Sequence, residues 1–201
     1  MFTIVENDMI APHLHRIKVV APLVAQARKP GQFVMVRLAE GEERIPLTIG
    51  DADIREGTIS LFVQAIGSST QKIVAVPVGG ALRDVAGPLG MPTHIEKSGR
   101  VACIGGGVGT AVLFPMAKAL AEAGNEVITI IGGRNKSLII LADELAAFSR
   151  QVRVTTDDGS MGSRGFVTDE LETLIQTPGL SPDTVFAVGP LPMMRAVSEL
   201  T

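Results

Sequence analysis

The stretch Val101-Ala102-Cys103-Ile104-Gly105-Gly106-Gly107-Val108-Gly109-Thr110 decides the fold of the second half of this chain. Its four apolar residues without a polar break predict a short buried strand. After the glycines, apolar residues recur at helical spacing over 111–123, and Gly124-Asn125 ends that helix. A strand, a glycine turn and a helix in this order are typical of the first βα unit of a nucleotide-binding α/β domain.

The glycine turn itself predicts a phosphate-bearing ligand. Glycines let a backbone approach a pyrophosphate closely, and the free N–H groups and dipole of a helix N-terminus favour an anion. A turn that served the fold alone would need one or two glycines, whereas four of the five residues at 105–109 are glycine. The turn lacks the Lys-Ser/Thr of a nucleoside-triphosphate loop. Its spacing also departs from the Gly-x-Gly-x-x-Gly dinucleotide fingerprint, because residue 110 is Thr. We therefore expect a phosphate-bearing ligand, held by residues Gly106, Gly107, Val108, Gly109 and Thr110.

Strand and helix patterns alternate from about residue 98 to the end of the chain. Apolar runs predict strands at 127–131, 152–155 and 185–188, and helical spacing predicts helices at 141–148 and 166–175. This alternation is the signature of a doubly wound parallel sheet. Residues 98–201 are therefore expected to form an α/β domain that binds NAD(H) or NADP(H).

The ends of the second and third strands lie on the carboxyl edge of the predicted sheet, where ligands of open α/β folds bind. A dinucleotide fold commonly places an acid after the second strand to hold the ribose diol, but here that strand runs into Arg134 and Lys136. These cations either favour a 2′-phosphate or are solvated loop charges, so the choice between NAD and NADP stays open. Asp157 and Asp158, after the third strand, either accept hydrogen bonds from the ligand or form an Asp-Gly turn.

The end of the fourth strand carries a stiff loop. Gly189 and Pro190 follow that strand directly, and Met193 comes three residues later. Because ligands of open α/β sheets bind at the carboxyl ends of the strands, we expect these three residues to lie beside the nicotinamide.

The first half of the chain has a different periodicity. Short apolar runs, many of them alternating, are separated by turn residues such as Pro30-Gly31 and Glu56-Gly57. Short strands at this spacing, without a long helical pattern among them, predict a small antiparallel β-barrel over residues 1–97. The segment 69–76 is expected to form one short helix.

Composition excludes several classes of function. The net charge of −3 provides no cationic field for nucleic acid, which is not expected as a partner. One cysteine, Cys103, cannot build a disulfide framework or an iron–sulfur site within the chain, and we expect no metal there. The N-terminus lacks a secretory signal and no run is long enough for membrane insertion, so a cytoplasmic protein is expected.

Six motifs in a fixed order resemble the ferredoxin–NAD(P) reductase superfamily. They are Pro30-Gly31-Gln32-Phe33, a flavin motif at 44–48, Gly67-Ser68-Ser69-Thr70, Gly87-Pro88-Leu89-Gly90, the glycine turn and Gly189-Pro190. Within that superfamily the chain is most similar to the flavin subunits of dihydroorotate dehydrogenase electron-transfer type, of sulfide dehydrogenase and of NADH-dependent ferredoxin:NADP oxidoreductase. The resemblance implies FAD on the barrel and NAD(P)H on the α/β domain.

The flavin motif departs from the broad superfamily pattern Arg-x-Tyr-Ser/Thr. Here Leu47 replaces the tyrosine, and Arg44 stands one residue further from the hydroxyl of Thr48. The three subunit types carry a similar Pro-aliphatic-Ser/Thr variant. The resemblance implies that Pro46 and Leu47 form an apolar wall against the flavin, that Thr48 lies near its N5 atom, and that Arg44 meets the FAD diphosphate.

Two further segments complete the implied FAD site. Phe62, Val63 and Gln64 are expected to flank the flavin ring and its ribityl chain. Ser69 and Thr70, where the short helix begins, are expected to bind the diphosphate through hydroxyls and backbone donors.

The implied activity is that of an electron-transfer subunit, an FAD-dependent NAD(P)H oxidoreductase. We expect no catalytic side chain, because the cofactors carry the chemistry and the protein orients them. The three subunit types also carry a cysteine-rich segment that binds a [2Fe–2S] cluster. We therefore expect the chain to be truncated before such a segment and the full-length protein to bind the cluster. A second oxidoreductase subunit is the expected partner, and ferredoxin or a similar carrier is possible.

Two alternatives stay open at this point. One is a dihydroorotate dehydrogenase electron-transfer subunit proper, which serves pyrimidine biosynthesis. The other is a non-catalytic binding protein on a reductase-like scaffold, which the missing tyrosine and the shifted arginine would suit.

Overall fold

A computed structural model describes all residues, 1–201, and divides them into two compact units, Met1–Thr93 and His94–Thr201. The division falls a few residues before the expected 97/98. Unit 1 contains seven strands and two short helices. They are β1 (Phe2–Ala11), β2 (Leu14–Val20), α1 (Pro22–Ala27), β3 (Phe33–Arg37), β4 (Ile45–Asp53), β5 (Thr58–Gln64), α2 (Ser68–Val74), β6 (Ala81–Leu82) and β7 (Asp84–Leu89).

Unit 1 is a nearly closed antiparallel barrel, in the strand order β6-β1-β2-β5-β4-β3-β7. Alternate residues point to opposite faces of a strand, so one set of apolar side chains fills the interior. The buried set on β3, β4 and β5 is Val34, Val36, Leu47, Ile49, Ile59, Leu61 and Val63. The helix α1 is a feature that the sequence patterns did not predict, since six residues are too few to show a period.

Unit 2 alternates strands and helices. Its elements are β8 (Arg100–Gly106), α3 (Gly109–Glu122), β9 (Glu126–Gly133), a 3₁₀ turn (Lys136–Leu138), α4 (Ala142–Ala146), β10 (Gln151–Thr156), β11 (Ser163–Arg164), α5 (Val167–Gln176), β12 (Thr184–Val188) and α6 (Leu191–Leu200). All strand pairs are parallel, in the order β11-β10-β9-β8-β12. The predicted fold class, a β-barrel followed by a doubly wound α/β sheet, is confirmed.

Both faces of the parallel sheet are covered. Ala102, Ile104, Ile128 and Ile130 pack with buried side chains of α5 and α6 on one face. The helices α3 and α4 contact each other and the strands from the opposite side. The chain moves from β8 outward to β9 and β10, and then returns to place β12 on the other side of β8. The carboxyl ends of β8 and β12 therefore flank the topological switch point, where ligands of this architecture bind.

A buried asparagine fixes the entry to unit 2. Asn125 follows α3, and its Oδ1 atom accepts hydrogen bonds from the backbone N–H groups of Ser98 at 2.7 Å and Gly99 at 3.1 Å. Its Nδ2 atom donates to the carbonyls of Glu96 and Leu120, both at 2.9 Å. One side chain thus ties the segment before β8 to the end of α3.

We predict that Asn125→Ala destabilises the fold by about 3 kcal/mol, because buried backbone groups lose their partners and no water of equal geometry replaces them. Urea unfolding measures the loss. The control is Gln176→Ala, which removes an exposed side chain bonded only to Glu172 and should change stability by less than about 0.5 kcal/mol. Equal effects of the two substitutions would contradict the prediction.

Candidate functional site

The turn between β8 and α3 offers free backbone donors at the switch point. Gly107 adopts a left-handed conformation with φ +54°, and the position of its missing Cβ has no atom within 4 Å. Its own N–H donates to the carbonyl of Gly132 at 2.9 Å, which anchors the turn on β9. No side chain caps the N-terminus of α3, so the N–H groups of its first turn lack side-chain partners. The N–H groups of Thr110 and Ala111 donate to backbone carbonyls, so those of Val108 and Gly109 are the ones left for an anion.

The other glycines allow close packing against the loop after β12. A Cβ at Gly109 would lie 2.4 Å from the carbonyl oxygen of Val188. A Cβ at Gly106 would lie 2.4 Å from the sulfur of Met193 and 3.0 Å from Cδ of Pro190. Three of the predicted site residues, Gly106, Pro190 and Met193, are therefore packed together beside the turn.

Side-chain burial divides the predicted phosphate residues into two groups. Gly107 and Val108 are half-exposed, and both can present backbone atoms to a ligand. Thr110 is 2% exposed and its hydroxyl lies against Gly105, where a Cβ would be 2.6 Å away. Its N–H donates to the carbonyl of Gly107 at 3.1 Å. Thr110 therefore shapes the turn, and its hydroxyl is turned away from solvent.

The ends of β9 and β10 are bonded to each other. The N–H groups of Asp157 and Asp158 donate to the carbonyls of Gly133 and Arg134, at 3.2 and 3.3 Å. The Asp158 carboxylate accepts hydrogen bonds from the hydroxyl and the N–H of Ser160, at 2.6 and 2.9 Å, and these lower the pKa of Asp158. Asp158 thus builds the Asp-Gly turn, whereas the Asp157 and Arg134 side chains are exposed.

On the barrel, the predicted flavin residues alternate between the core and the outer face. The Leu47 and Val63 side chains are buried in the barrel core. This corrects the expectation that they line the flavin, because the two-residue period of β4 and β5 turns them inward. Pro46 and Gln64 are exposed, and Thr48 and Phe62 are half-exposed.

An apolar surface on the outer face includes residues that were not predicted as site residues. Phe33 pairs with Thr48 across β3 and β4, so their side chains share a face. The ring of Phe62 covers Gly50, where a Cβ would lie 2.1 Å from it. The sequence pattern that could have identified Phe33 as a surface residue is its alternation with Val34, which is buried. No short-range pattern pointed to Gly50, since its contact is made with the neighbouring strand.

The side-chain groups predicted for the FAD diphosphate all have partners within unit 1. The hydroxyl of Thr70 donates to the carbonyl of Gly67 at 2.9 Å and accepts from its N–H at 3.0 Å. The hydroxyl of Ser69 donates to the Glu43 carboxylate at 2.6 Å. Arg44 is exposed and lies 3.5 Å from the carboxylate of Asp84. A diphosphate at this position has to compete for these donors.

Comparisons with known proteins show which family the chain belongs to. Residues 103–199 match the model of the oxidoreductase NAD-binding domain. A dihydroorotate dehydrogenase B (NAD(+)) electron transfer subunit homolog from Thermotoga maritima is 42% identical over 96% of this chain and 67% of its own length. The electron transfer subunit from Geobacillus thermodenitrificans is 35% identical over 98% of this chain and 77% of its own length. The chain belongs to this family of electron transfer subunits and their homologues.

Solved structures extend the likeness of this electron-transfer subunit. An NADH-dependent reduced ferredoxin–NADP oxidoreductase, described for flavin-based electron bifurcation, superposes with a TM-score of 0.91 at 40% identity. That match covers 100% of this chain and 71% of the other. The predicted resemblance to the ferredoxin reductase superfamily is confirmed, and the subunit is an oxidoreductase.

The packing at the switch point gives a test of the glycine turn. We predict that Gly109→Ala lowers stability near the top of the roughly 1–3 kcal/mol that overpacking costs, since its Cβ would collide with rigid backbone. Gly107→Ala should cost only about 1 kcal/mol, the strain of a left-handed alanine in open space. Urea unfolding compares the variants. A larger loss for Gly107→Ala would contradict this account of the turn.

Proposed function

We propose that the chain is the FAD- and NAD(H)-binding portion of an electron-transfer subunit, in which NAD(P)H is oxidised and electrons pass through FAD to a partner subunit. The observation that carries the proposal is the uncapped N-terminus of α3 beside the open Gly107, at the switch point of the sheet. The 42% identity with an electron transfer subunit homolog over nearly the whole chain supports it independently.

On the α/β unit, backbone groups orient the nicotinamide cofactor. We assign its pyrophosphate to the free N–H groups of Val108 and Gly109, where the helix dipole favours the negative charge. Arg134 and Asp157, exposed at the adjoining strand ends, are assigned to the adenosine ribose. Pro190 and Met193 are assigned to the nicotinamide side, because they pack on the same turn from the end of β12.

On the barrel, the outer face of β3, β4 and β5 fits a flat apolar ring. Phe33, Pro46, Thr48 and Phe62 leave an apolar surface with a single hydroxyl on it, and Gln64 lies at its edge. FAD, when bound there, would supply the conversion between two-electron and one-electron transfer. The chain contributes orientation and exclusion of water, and the Thr48 hydroxyl and N–H would face the N5 edge.

Two sets of relatives favour two different partner subunits. Relatives named for dihydroorotate dehydrogenase B favour a partner that oxidises dihydroorotate. The ferredoxin–NADP oxidoreductase structure favours a partner subunit from an oxidoreductase of that type. We propose this partner first.

We further propose a [2Fe–2S] cluster in the full-length protein, as in the subunit types that the chain resembles. The single cysteine and the lack of a secretory signal support a cytoplasmic location for it. None of the six helices combines the length and apolar character that a membrane span needs.

We predict that the purified protein, reconstituted with FAD, gains the flavin absorption band at about 450 nm and loses it when NADH is added without oxygen. Anaerobic titration followed by absorption measures this. A colourless protein that takes up no FAD would support the binding-protein alternative and reject the proposal. Co-purification of the full-length protein with a dihydroorotate-oxidising subunit would favour the second candidate.

The glycine turn has its own functional test. Gly107→Ala should weaken NADH binding by about tenfold, since a methyl group stands where the pyrophosphate approaches the backbone. The control is Gly179→Ala, at another left-handed glycine with open space around it in the same unit. Isothermal titration of both FAD-loaded variants compares them, with NAD⁺ as the titrant because it carries the same pyrophosphate and cannot reduce the oxidised flavin. Equal weakening would show that the turn is not the pyrophosphate site.

A further inference from the structure

The turn between β3 and β4 is bonded to α2 by two consecutive acids. Glu43 accepts a hydrogen bond from the hydroxyl of Ser69 at 2.6 Å. Both carboxylate oxygens of Glu42 accept from the ammonium of Lys72, at 2.7 and 3.0 Å. In the first two turns of α2, a hydroxyl and an ammonium group are thus bonded to carboxylates of the turn between β3 and β4, which is distant in sequence.

Those donors are the ones that an anion of the cofactor would use. Ser69 is part of the proposed FAD diphosphate site, and Lys72 lies one turn further along α2. Carboxylate and phosphate oxygens both accept charge-assisted hydrogen bonds, and Ser69 has a single hydroxyl hydrogen to donate. A diphosphate beside Glu42 and Glu43 would also be repelled by their charge. The two anions therefore exclude each other at these donors.

The bonds of this turn are of a kind that can exchange. The Lys72 and Glu42 side chains are 50% and 30% exposed, and exposed ion pairs contribute little to stability. The neighbouring Gly41 has φ +81° and nothing packed around its Cβ position, so this point of the turn makes no core contact. Displacing both carboxylates is a small structural change.

We propose that Glu42 and Glu43 form an acidic latch on α2 that competes with the diphosphate of FAD for Ser69 and Lys72. The affinity for FAD then includes the work of opening the latch. Once it is open, the Ser69 hydroxyl and the Lys72 ammonium turn to the diphosphate. The inference rests on the proposed FAD site on the barrel, and it adds two residues that oppose the cofactor.

The test compares FAD binding by flavin-stripped wild type with Glu43→Gln, Glu42→Gln and Glu40→Gln. Glu40 lies in the same turn but pairs with Arg83, so its variant loses the same charge without touching α2. The first two variants should bind FAD about threefold to tenfold more tightly, with faster association, because each removes one competitor. The control should stay within about twofold. Flavin fluorescence quenching gives the affinities, stopped flow gives the rates, and melting temperatures check folding.

A double variant, Glu42→Gln with Lys72→Gln, distinguishes the latch from a simple loss of charge. In Glu42→Gln alone, Lys72 is freed to meet the diphosphate, so adding Lys72→Gln should return the affinity for FAD to about that of wild type. Equal tightening by all three glutamine variants, or weaker binding by Glu43→Gln, would overturn the latch. If wild type binds FAD and the latch variants match it, only the latch fails. If wild type binds no FAD, the proposed function fails and the latch with it.

Discussion

The approach of two backbone segments at the switch point is the constraint on which unit 2 depends. The turn after β8 and the loop after β12 come so close that a single methyl group at residue 109 would collide with the carbonyl of Val188. This contact holds the carboxyl ends of adjacent parallel strands together, and it aims the N-terminus of α3 at the space between them. Gly107 is the one member of the turn that stays open, so the same short segment serves packing and ligand access.

The two units deal with negative charge in different ways. Unit 2 uses backbone N–H groups and a helix dipole, which no side chain caps and which need no counter-ion. Unit 1 uses side chains, and its hydroxyl and cations are already engaged by Glu42, Glu43 and Asp84. An anion therefore meets free backbone donors on the α/β unit, whereas the side-chain donors on the barrel are occupied. At the proposed FAD site, binding through those side chains would exchange one anion for another.

The sequence was sufficient to predict the fold class, because the period of apolar residues changes from two to helical spacing near residue 98. The glycine turn was equally visible, since its residues are consecutive. Elements of two to six residues, such as β11 and α1, were too short to show a period. The side of a strand that faces the core also determines which side chains can line a ligand site. The prediction that Leu47 and Val63 line the flavin did not take this into account.

The bonds of Ser69 and Asp158 show a further limit of sequence reasoning. Asp158 and Ser160 are two positions apart, and the Asp-Gly turn that contains their bond was one of the two outcomes that the sequence left open. Ser69 and Glu43 are 26 positions apart, and no local pattern predicts that pair. Partners on different elements are set by the packing of the whole barrel, which only the structure supplies.

The most direct measurement of the central claim is the amide NMR spectrum of the FAD-loaded protein as NAD⁺, which cannot reduce the oxidised flavin, is added. The account predicts that the amide signals of Val108 and Gly109 shift most, in proportion to the NAD⁺ bound, because the pyrophosphate accepts from their free N–H groups. Saturable NAD⁺ binding that leaves these two signals in place and shifts others instead would contradict it.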